Sequence, residues 1–154
     1  MRKALLAAFA AAAFFGCSMH SLDLRLNKGA SAEVIQSDRR TLESQTMSAL
    51  AAIERSLNDY IRSRRSIPKS LEELVPDFLA EIPAVELGLP GYAPTASVTH
   101  YAASVIVDGQ INGAALEDSG GWGYAYGDRQ VIVFVDCTRK RMDGKFWYQA
   151  RGVY

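Results

Sequence analysis

One long helical period constrains this chain more than any other feature. Between Ser31 and Arg64, apolar residues recur at spacings of three, four or seven, which is the period of an amphipathic α-helix. At about 1.5 Å per residue, this helix would be about 50 Å long, which exceeds the width of a small domain. We therefore expect its first turns to extend past the domain or to pack on another chain, unless a break near Ser44 divides it. The apolar stripe consists of Ile35, Leu42, Thr46, Ala49, Leu50, Ile53, Leu57, Tyr60 and Ile61.

The charges at the two ends of this segment favour the same interpretation. Glu33 and Asp38 lie near its predicted start, and Arg62, Arg64 and Arg65 lie at its end. A helix carries partial positive charge at its N-terminus and partial negative charge at its C-terminus, so it stabilises both groups. The charge pattern therefore supports one helix in this orientation.

A proline ends the long period, and a short second helix is predicted after it. Pro68 interrupts the helical pattern, and Ser70 and Glu73 have the spacing of a capping box, in which each side chain bonds the other residue's backbone N–H. Two later prolines limit this helix, and the glycines and prolines of residues 87–95 predict an irregular connection. Its apolar face would consist of Leu71, Leu74, Val75, Phe78 and Leu79.

The C-terminal half predicts strands joined by hairpins. Asp108-Gly109 is a two-residue turn signal between two apolar runs, and two more glycine-containing turns follow. We expect an α+β domain in which the long helix covers one face of an antiparallel sheet built from these successive hairpins. The predicted strands are 101–107 with 110–116, 122–126 with 130–137 around 127–129, and 145–150 after Asp143-Gly144.

One of the two cysteines lies on a predicted strand. Cys137 is in phase with Val131, Val133 and Val135, so it shares their buried face. The sequence around it contains no signal for a lowered thiol pKa. It therefore predicts a buried, unreactive thiol.

The first sixteen residues have the order of a secretory signal. Arg2 and Lys3 precede an uncharged stretch from Ala4 to Phe15, and Gly16 is small. As a helix, residues 4–16 would span only about 20 Å against a hydrocarbon core of about 30 Å. Residues 1–16 are therefore expected to be a removable signal peptide.

The end of this signal resembles the lipobox of bacterial lipoproteins. Gly16-Cys17 matches that pattern, which implies that Cys17 is lipidated and becomes the mature N-terminus, whereas Phe14 and Phe15 depart from it. Residues 17–30 would then be a tether and residues 31–154 one domain. Ser18 resembles the residue found in lipoproteins sorted to the outer membrane. The alternative is simple secretion with cleavage near residues 11–13, which leaves Cys17 as a free thiol or as a partner for Cys137.

Several short motifs follow one another along the domain: 49–60, 66–74, Ile82-Pro83, Gly120-Gly121-Trp122-Gly123-Tyr124, 131–135 and Asp143-Gly144-Lys145. The motifs and their order resemble the globular part of type II secretion pseudopilins. The resemblance implies a pilin-like head that serves as a non-catalytic structural or adaptor subunit and binds envelope or secretion-system proteins. This chain departs from the family because Gly16 is followed by Cys17 and then by charged Asp23 and Arg25, not by a long apolar helix. A lipid-anchored protein of the cell envelope, facing the periplasm, is therefore expected.

Composition argues against catalysis and against a polyanionic partner. Lys plus Arg number 17 and Asp plus Glu number 17, so no overall field attracts nucleic acid. Only His20 and His100 are present, so a histidine metal cluster or catalytic triad is not supported. No enzyme activity and no cofactor are expected.

A calcium site is the one metal hypothesis. Glu117, Asp118 and Asp128 flank a glycine-rich turn, and their oxygens suit a hard cation, although solvated turn carboxylates explain the same pattern. A calcium-binding or small-ligand-binding periplasmic lipoprotein is therefore the alternative function.

Two groups of residues near the C-terminus are candidates for partner binding. Alternation cannot place three consecutive aromatic residues inside, so either the middle residue or its two neighbours should face outward. A basic cluster in the preceding turn would contact an acidic partner or lipid headgroups, unless it is a solvated hairpin end. The aromatic residues are Phe146, Trp147 and Tyr148, and the basic residues are Arg139, Lys140 and Arg141.

Overall fold

The computed structural model describes residues 19–127 and 130–149, with side chains from residue 31 onward. Within these ranges the fold is α+β, with a long helix, a three-stranded mixed sheet and a two-stranded sheet. Its elements are α1 (Met19–Arg64), β1 (Val98–Ala102), β2 (Ile106–Val107), β3 (Gln110–Ile111), β4 (Trp122–Gly127) and β5 (Gln130–Val135). Single 3₁₀ turns lie at Leu71–Leu74, Ala103–Val105, Gly113–Ala115 and Trp147–Gln149.

The chain has two compact units, Met1–Gln36 and Ser37–Tyr154. Helix α1 begins in the first unit and ends in the second. All strands of the described residues belong to the second unit, which is called the C-terminal unit below.

Helix α1 begins earlier than the apolar period predicts. The start expected near Ser31 is therefore wrong, because residues 19–30 are helical as well. No proline occurs before Pro68, and the single Gly29 in the helix costs only about 1 kcal/mol relative to alanine. For the same reason no break occurs at Ser44. Glu33 therefore lies inside the helix rather than at its start, and the first turn of α1 holds no acidic residue.

The C-terminal end of α1 agrees with the sequence pattern. Arg62 and Arg64 lie in the last turn, where a helix favours positive charge. Arg65 then adopts a left-handed φ of 56°, and its N–H donates to the carbonyl of Ile61 at 2.9 Å. This arrangement stops the helix before Pro68.

The second helix is a single 3₁₀ turn, Leu71–Leu74, and it lacks the predicted capping box. The Ser70 side chain makes no capping hydrogen bond. Glu73 instead accepts hydrogen bonds from the Tyr60 hydroxyl at 2.8 Å and from the N–H of Lys69 at 3.1 Å. The Glu73 carboxylate therefore bonds to a residue of α1 and to a residue before the turn, and not to the N–H of Ser70.

The prediction of a purely antiparallel sheet is wrong, because β1 pairs with β4 in parallel, from Val98↔Trp122 to Ala102↔Tyr126. The long connection from Ala103 to Gly121 allows the chain to return in the same direction, as a parallel pair requires. The predicted hairpin between β4 and β5 is confirmed, with strand order β1-β4-β5. The hairpin around Asp108-Gly109 forms only two residue pairs, which join β2 to β3.

The third predicted hairpin is also wrong. After Asp143-Gly144 the only ladder contact among the described residues is one bridge between Lys140 and Phe146, and a 3₁₀ turn then follows at Trp147–Gln149. A strand would place successive side chains on alternate faces, whereas this turn places the Trp147 side chain in the core.

Side chains pack on both faces of the three-stranded sheet. Leu50, Ile53 and Leu57 of α1 join a buried cluster that includes Trp122 and Val135. The predicted cover of one sheet face by the long helix is therefore confirmed. Val133 and Cys137 share this cluster, so the burial of Cys137 is confirmed as well. The opposite face holds a second cluster, formed by Val105, Ile111, Ala125 and Phe134.

Two polar residues of α1 attach the irregular segment between the helix and the sheet. Thr46 is 1% exposed, and its hydroxyl lies 3.0 Å from both the N–H and the carbonyl of Glu86. The Ser56 hydroxyl donates to the carbonyl of Phe78 at 2.8 Å. These bonds satisfy backbone groups of Glu86 and Phe78, which lie outside the sheets.

Candidate functional site

The motifs that carry the pseudopilin resemblance meet in the C-terminal unit. The Trp122 indole N–H donates to the carbonyl of Pro83 at 2.7 Å. The Tyr124 hydroxyl donates to the carbonyl of Pro68. Both aromatic side chains are fully buried. The glycine-tryptophan-x-tyrosine strand is therefore hydrogen-bonded to both proline segments, although they lie 39 and 56 residues earlier in the chain.

A buried carboxylate, which the sequence analysis did not single out, organises the glycine-rich turn. Asp136 is 0% exposed. Its carboxylate accepts from the N–H of Asp118 at 3.2 Å, from the N–H and hydroxyl of Ser119 at 3.1 and 2.6 Å, and from the Tyr101 hydroxyl at 2.9 Å. The Tyr101 oxygen accepts in turn from the N–H of Glu117 at 2.8 Å. The sequence did contain one signal for this residue, which is an acid placed directly after the apolar run 131–135. A carboxylate buried at such a position requires hydrogen-bond donors around it.

Asp118 is held by a second set of donors. It accepts from the N–H of Thr138 at 2.6 Å and from the Tyr92 hydroxyl at 2.7 Å. Burial alone would raise the pKa of Asp118, but these hydrogen bonds outweigh it and keep the pKa below its ordinary value. Burial and the bond to Asp118 raise the pKa of Tyr92 to about 12. The bond therefore joins a neutral phenol to an ionised carboxylate at neutral pH.

These contacts bear on the calcium hypothesis. Of the three candidates, Asp118 already accepts hydrogen bonds from protein donors, as does the nearby carboxylate of Asp136, and Asp128 lies outside the described residues. Glu117 is exposed. Within the described ranges, no group of three or more His, Cys, Asp or Glu side chains could hold a metal ion.

The Cys137 thiol is buried in the core and is free. Burial raises its pKa, although a contact from the N–H of Arg139 to its sulfur, at 3.4 Å, acts in the opposite direction. A thiol with a raised pKa is mostly protonated at neutral pH and is a poor nucleophile.

The structure separates the three candidate aromatic residues. Trp147 is 1% exposed and belongs to the main core cluster, so it cannot serve as a contact surface. Phe146 and Tyr148 are half-buried, and their rings stack with centroids 5.3 Å apart and an interplanar angle of 15°. The outward-facing pair is therefore Phe146 with Tyr148.

The three candidate basic residues have different surroundings. Lys140 is exposed, and its ammonium lies 5.4 Å from the centroid of the Phe146 ring. The Arg141 side chain is only 12% exposed and forms a 2.7 Å salt bridge with Asp143. Arg139 is exposed on the side of Asp118, whose pKa its charge helps to lower. The cluster seen in the sequence is therefore not one surface, and Lys140 is its member beside the aromatic pair.

The loop that carries Lys140 is held against α1. Arg39 Nη2 donates to the carbonyl of Lys140 at 3.1 Å. The Glu43 carboxylate accepts from the N–H of Met142 at 3.0 Å, and Arg141 Nη1 lies 3.6 Å from the sulfur of Met47. Three successive turns of α1 thus contact this loop, which fixes its backbone.

Other predicted features lie elsewhere. Cys17 and the signal peptide fall outside the described residues, and only the backbone is described for His20. His100 is exposed and makes an edge contact with the Tyr124 ring, with centroids 5.8 Å apart. In the part of the chain that the structure describes, no helix combines the length and apolar character needed to span a membrane.

Comparisons of the chain with protein-family models, with curated proteins and with solved structures found no match.

Proposed function

We propose that this chain is a non-catalytic, lipid-anchored subunit of a type II secretion or pilus-like assembly in the bacterial envelope. The C-terminal unit would be a pilin-like head that contacts neighbouring proteins. The membrane attachment would be the lipid on Cys17, which the sequence pattern around that residue suggests.

The coupling of the motifs is the observation that carries this proposal. The resemblance rests on short segments, each of which is weak by itself. Trp122 bonds to Pro83 and Tyr124 bonds to Pro68, so segments from three parts of the chain form one hydrogen-bonded unit. This arrangement supports the proposal, because the segments that carry the resemblance lie together in one structural unit. The helix that covers one sheet face is also compatible with a pilin-like arrangement.

A structural role also agrees with the polar interior. Asp136, Ser119 and Tyr101 bond to one another and to backbone N–H groups, so their polar atoms serve to hold the turn. The thiol of Cys137 is buried with a raised pKa. The hydrogen bonds of Asp136, Ser119 and Tyr101 within the turn support a structural role.

Intact-mass spectrometry of the membrane-extracted protein tests the anchor. We expect a mature chain that begins at Cys17 and carries added acyl mass, and the added mass should be absent in a Cys17→Ser variant. An unmodified soluble chain cleaved before Cys17 would refute the anchor and would favour secretion with a free or paired Cys17.

Photo-crosslinking in the native envelope tests the assembly. A photoreactive amino acid at position 148 should form crosslinks to a component of the secretion or pilus machinery. The same group at exposed position 69, on a different surface element, serves as the control. Equal crosslinking from both positions, or none to such components, would contradict the proposal. A melting temperature raised by calcium and lowered by a chelator would instead favour the calcium-binding alternative.

A further inference from the structure

Positive charge and aromatic rings meet on one part of the C-terminal unit. Arg39, Lys140, Phe146 and Tyr148 form this patch, which is called the Lys140 surface. Arg39 bonds to the carbonyl of Lys140, the Lys140 ammonium lies on the Phe146 ring, and Phe146 stacks on Tyr148. The four residues are thus linked in a continuous series of contacts.

The positive charges of this surface are not neutralised by neighbouring acids. Among the described residues, no carboxylate oxygen lies within 4.0 Å of a charged nitrogen of Arg39 or Lys140, which is the limit for a salt bridge. The acids that are close in sequence have other partners. Glu43 accepts from the N–H of Met142, and Asp143 accepts from Arg141 and from the N–H of Lys145. These acids hold the loop in place and leave the two cations available.

The aromatic pair packs against neighbouring residues of the C-terminal unit. Phe146 and Tyr148 are half-buried and stacked nearly parallel, and the Tyr148 ring packs so closely over Gly113 that a side chain at that position would overlap the ring. Anchors that enter a membrane interface are apolar side chains free to insert between lipids. Rings held in this way are not free to insert between lipids, and only their exposed parts can contact a polypeptide.

We propose that the Lys140 surface binds an acidic segment of a partner protein. Carboxylates of that segment accept hydrogen bonds from the Lys140 ammonium and from the N–H groups of Arg39 that remain after its bond to the loop. The apolar parts of the segment contact the exposed parts of Phe146 and Tyr148. This inference rests on the proposed adaptor function, because it specifies the chemistry of the partner that the subunit recognises.

A binding experiment with the full chain in neutral detergent tests this proposal. The probe is a fluorescein-labelled oligoglutamate peptide, and its affinity is measured by fluorescence polarisation. Lys140→Glu should weaken binding about tenfold, because it removes an attraction and adds a repulsion. Lys140→Gln should weaken it about threefold, because it removes the attraction alone. Added salt should weaken binding to the original chain.

The matched control is Lys69→Glu, which makes the same charge change at an exposed position far from the Lys140 surface in sequence. Its affinity should stay within about twofold of the original chain. Circular dichroism and thermal melting of each variant check that it folds.

Three results would overturn the proposal. The first is no binding of the peptide by the original chain, and the second is an equal loss of affinity in the Lys69→Glu control. The third is Lys140-dependent binding of short-chain phosphatidylglycerol without binding of the peptide, which would assign the surface to lipid headgroups. The mass-spectrometric test at Cys17 and the crosslinking test at position 148 use different readouts. Failure of the peptide test alone therefore leaves the proposed function standing.

Discussion

Replacement of Asp136 by asparagine should destabilise the C-terminal unit strongly. The carboxylate is fully buried and accepts four hydrogen bonds, from the N–H of Asp118, the N–H and hydroxyl of Ser119 and the hydroxyl of Tyr101. Asparagine has nearly the same shape, so the variant creates no large cavity. It replaces one acceptor oxygen by an NH₂ group, which then faces N–H and O–H donors.

The expected cost follows from the number of bonds lost. A hydrogen bond to a charged group contributes about 1.5–3 kcal/mol, and a buried donor left without an acceptor costs about 1–3 kcal/mol. The losses are not additive within one network, since Ser119 and Tyr101 can reorient their hydroxyls. We therefore expect Asp136→Asn to lower the free energy of unfolding by about 2–4 kcal/mol. This corresponds to a fall in melting temperature of about 5–15 °C for a chain of this size.

Urea unfolding, followed by the fluorescence of buried Trp122 and Trp147, measures this change. The control is Asp77→Asn, because the Asp77 side chain is 68% exposed and forms only a 3.4 Å ion pair with Arg64. The control should change the free energy of unfolding by less than about 0.5 kcal/mol. If Asp136→Asn stays within about 0.5 kcal/mol of the original chain at the same m-value, the network does not stabilise the fold as argued.

Three further predictions concern other parts of the same unit. Gly123→Ala should destabilise it by about 1–3 kcal/mol in thermal melts, because an added Cβ would overlap the Phe134 ring, and unchanged melting would contradict that packing. Trp147→Ala should cost about 3–5 kcal/mol and Tyr148→Ala about 1–2 kcal/mol in urea unfolding, since Trp147 is fully buried and Tyr148 only half-buried, and similar losses would refute the assigned orientations. The folded pKa of Asp118 lies below its ordinary value, so its contribution to stability is present above about pH 4 and is lost as the pH falls through the folded pKa. Acid unfolding curves should therefore be flatter below about pH 4 in Asp118→Asn, and an unaltered pH dependence would disprove this contribution.

The elements that depend on neighbouring residues in the chain could be predicted from the sequence. The apolar period located the part of α1 that packs on the sheet, and Pro68 marked its limit. Alternation and turn residues located the β4–β5 hairpin and the buried face that ends at Cys137. In each case the signal and the contact lie within the same short segment, so local rules are sufficient.

The candidate contact residues could be predicted only as a set. Three consecutive aromatic residues required some to face outward, but the choice between Trp147 and its two neighbours depended on whether the segment is a strand or a turn. The 3₁₀ turn at Trp147–Gln149 makes that choice by packing Trp147 into the core. Likewise, the separation of Lys140 from the partly buried Arg141 depends on contacts with α1, which is about a hundred residues earlier in the chain.

By itself the sequence determined a long helix before a β-rich half, the end of that helix and one of the buried strand faces. Only the tertiary structure decided that β1 runs parallel to β4 and that Asp136 is the acid that organises the glycine-rich turn. Strand pairing across residues 103–121 and hydrogen bonds across 17 to 35 residues depend on loop closure and on competition among all possible partners. A local sequence period cannot predict these pairings, because the free energy that favours them comes from groups that meet only in the folded chain.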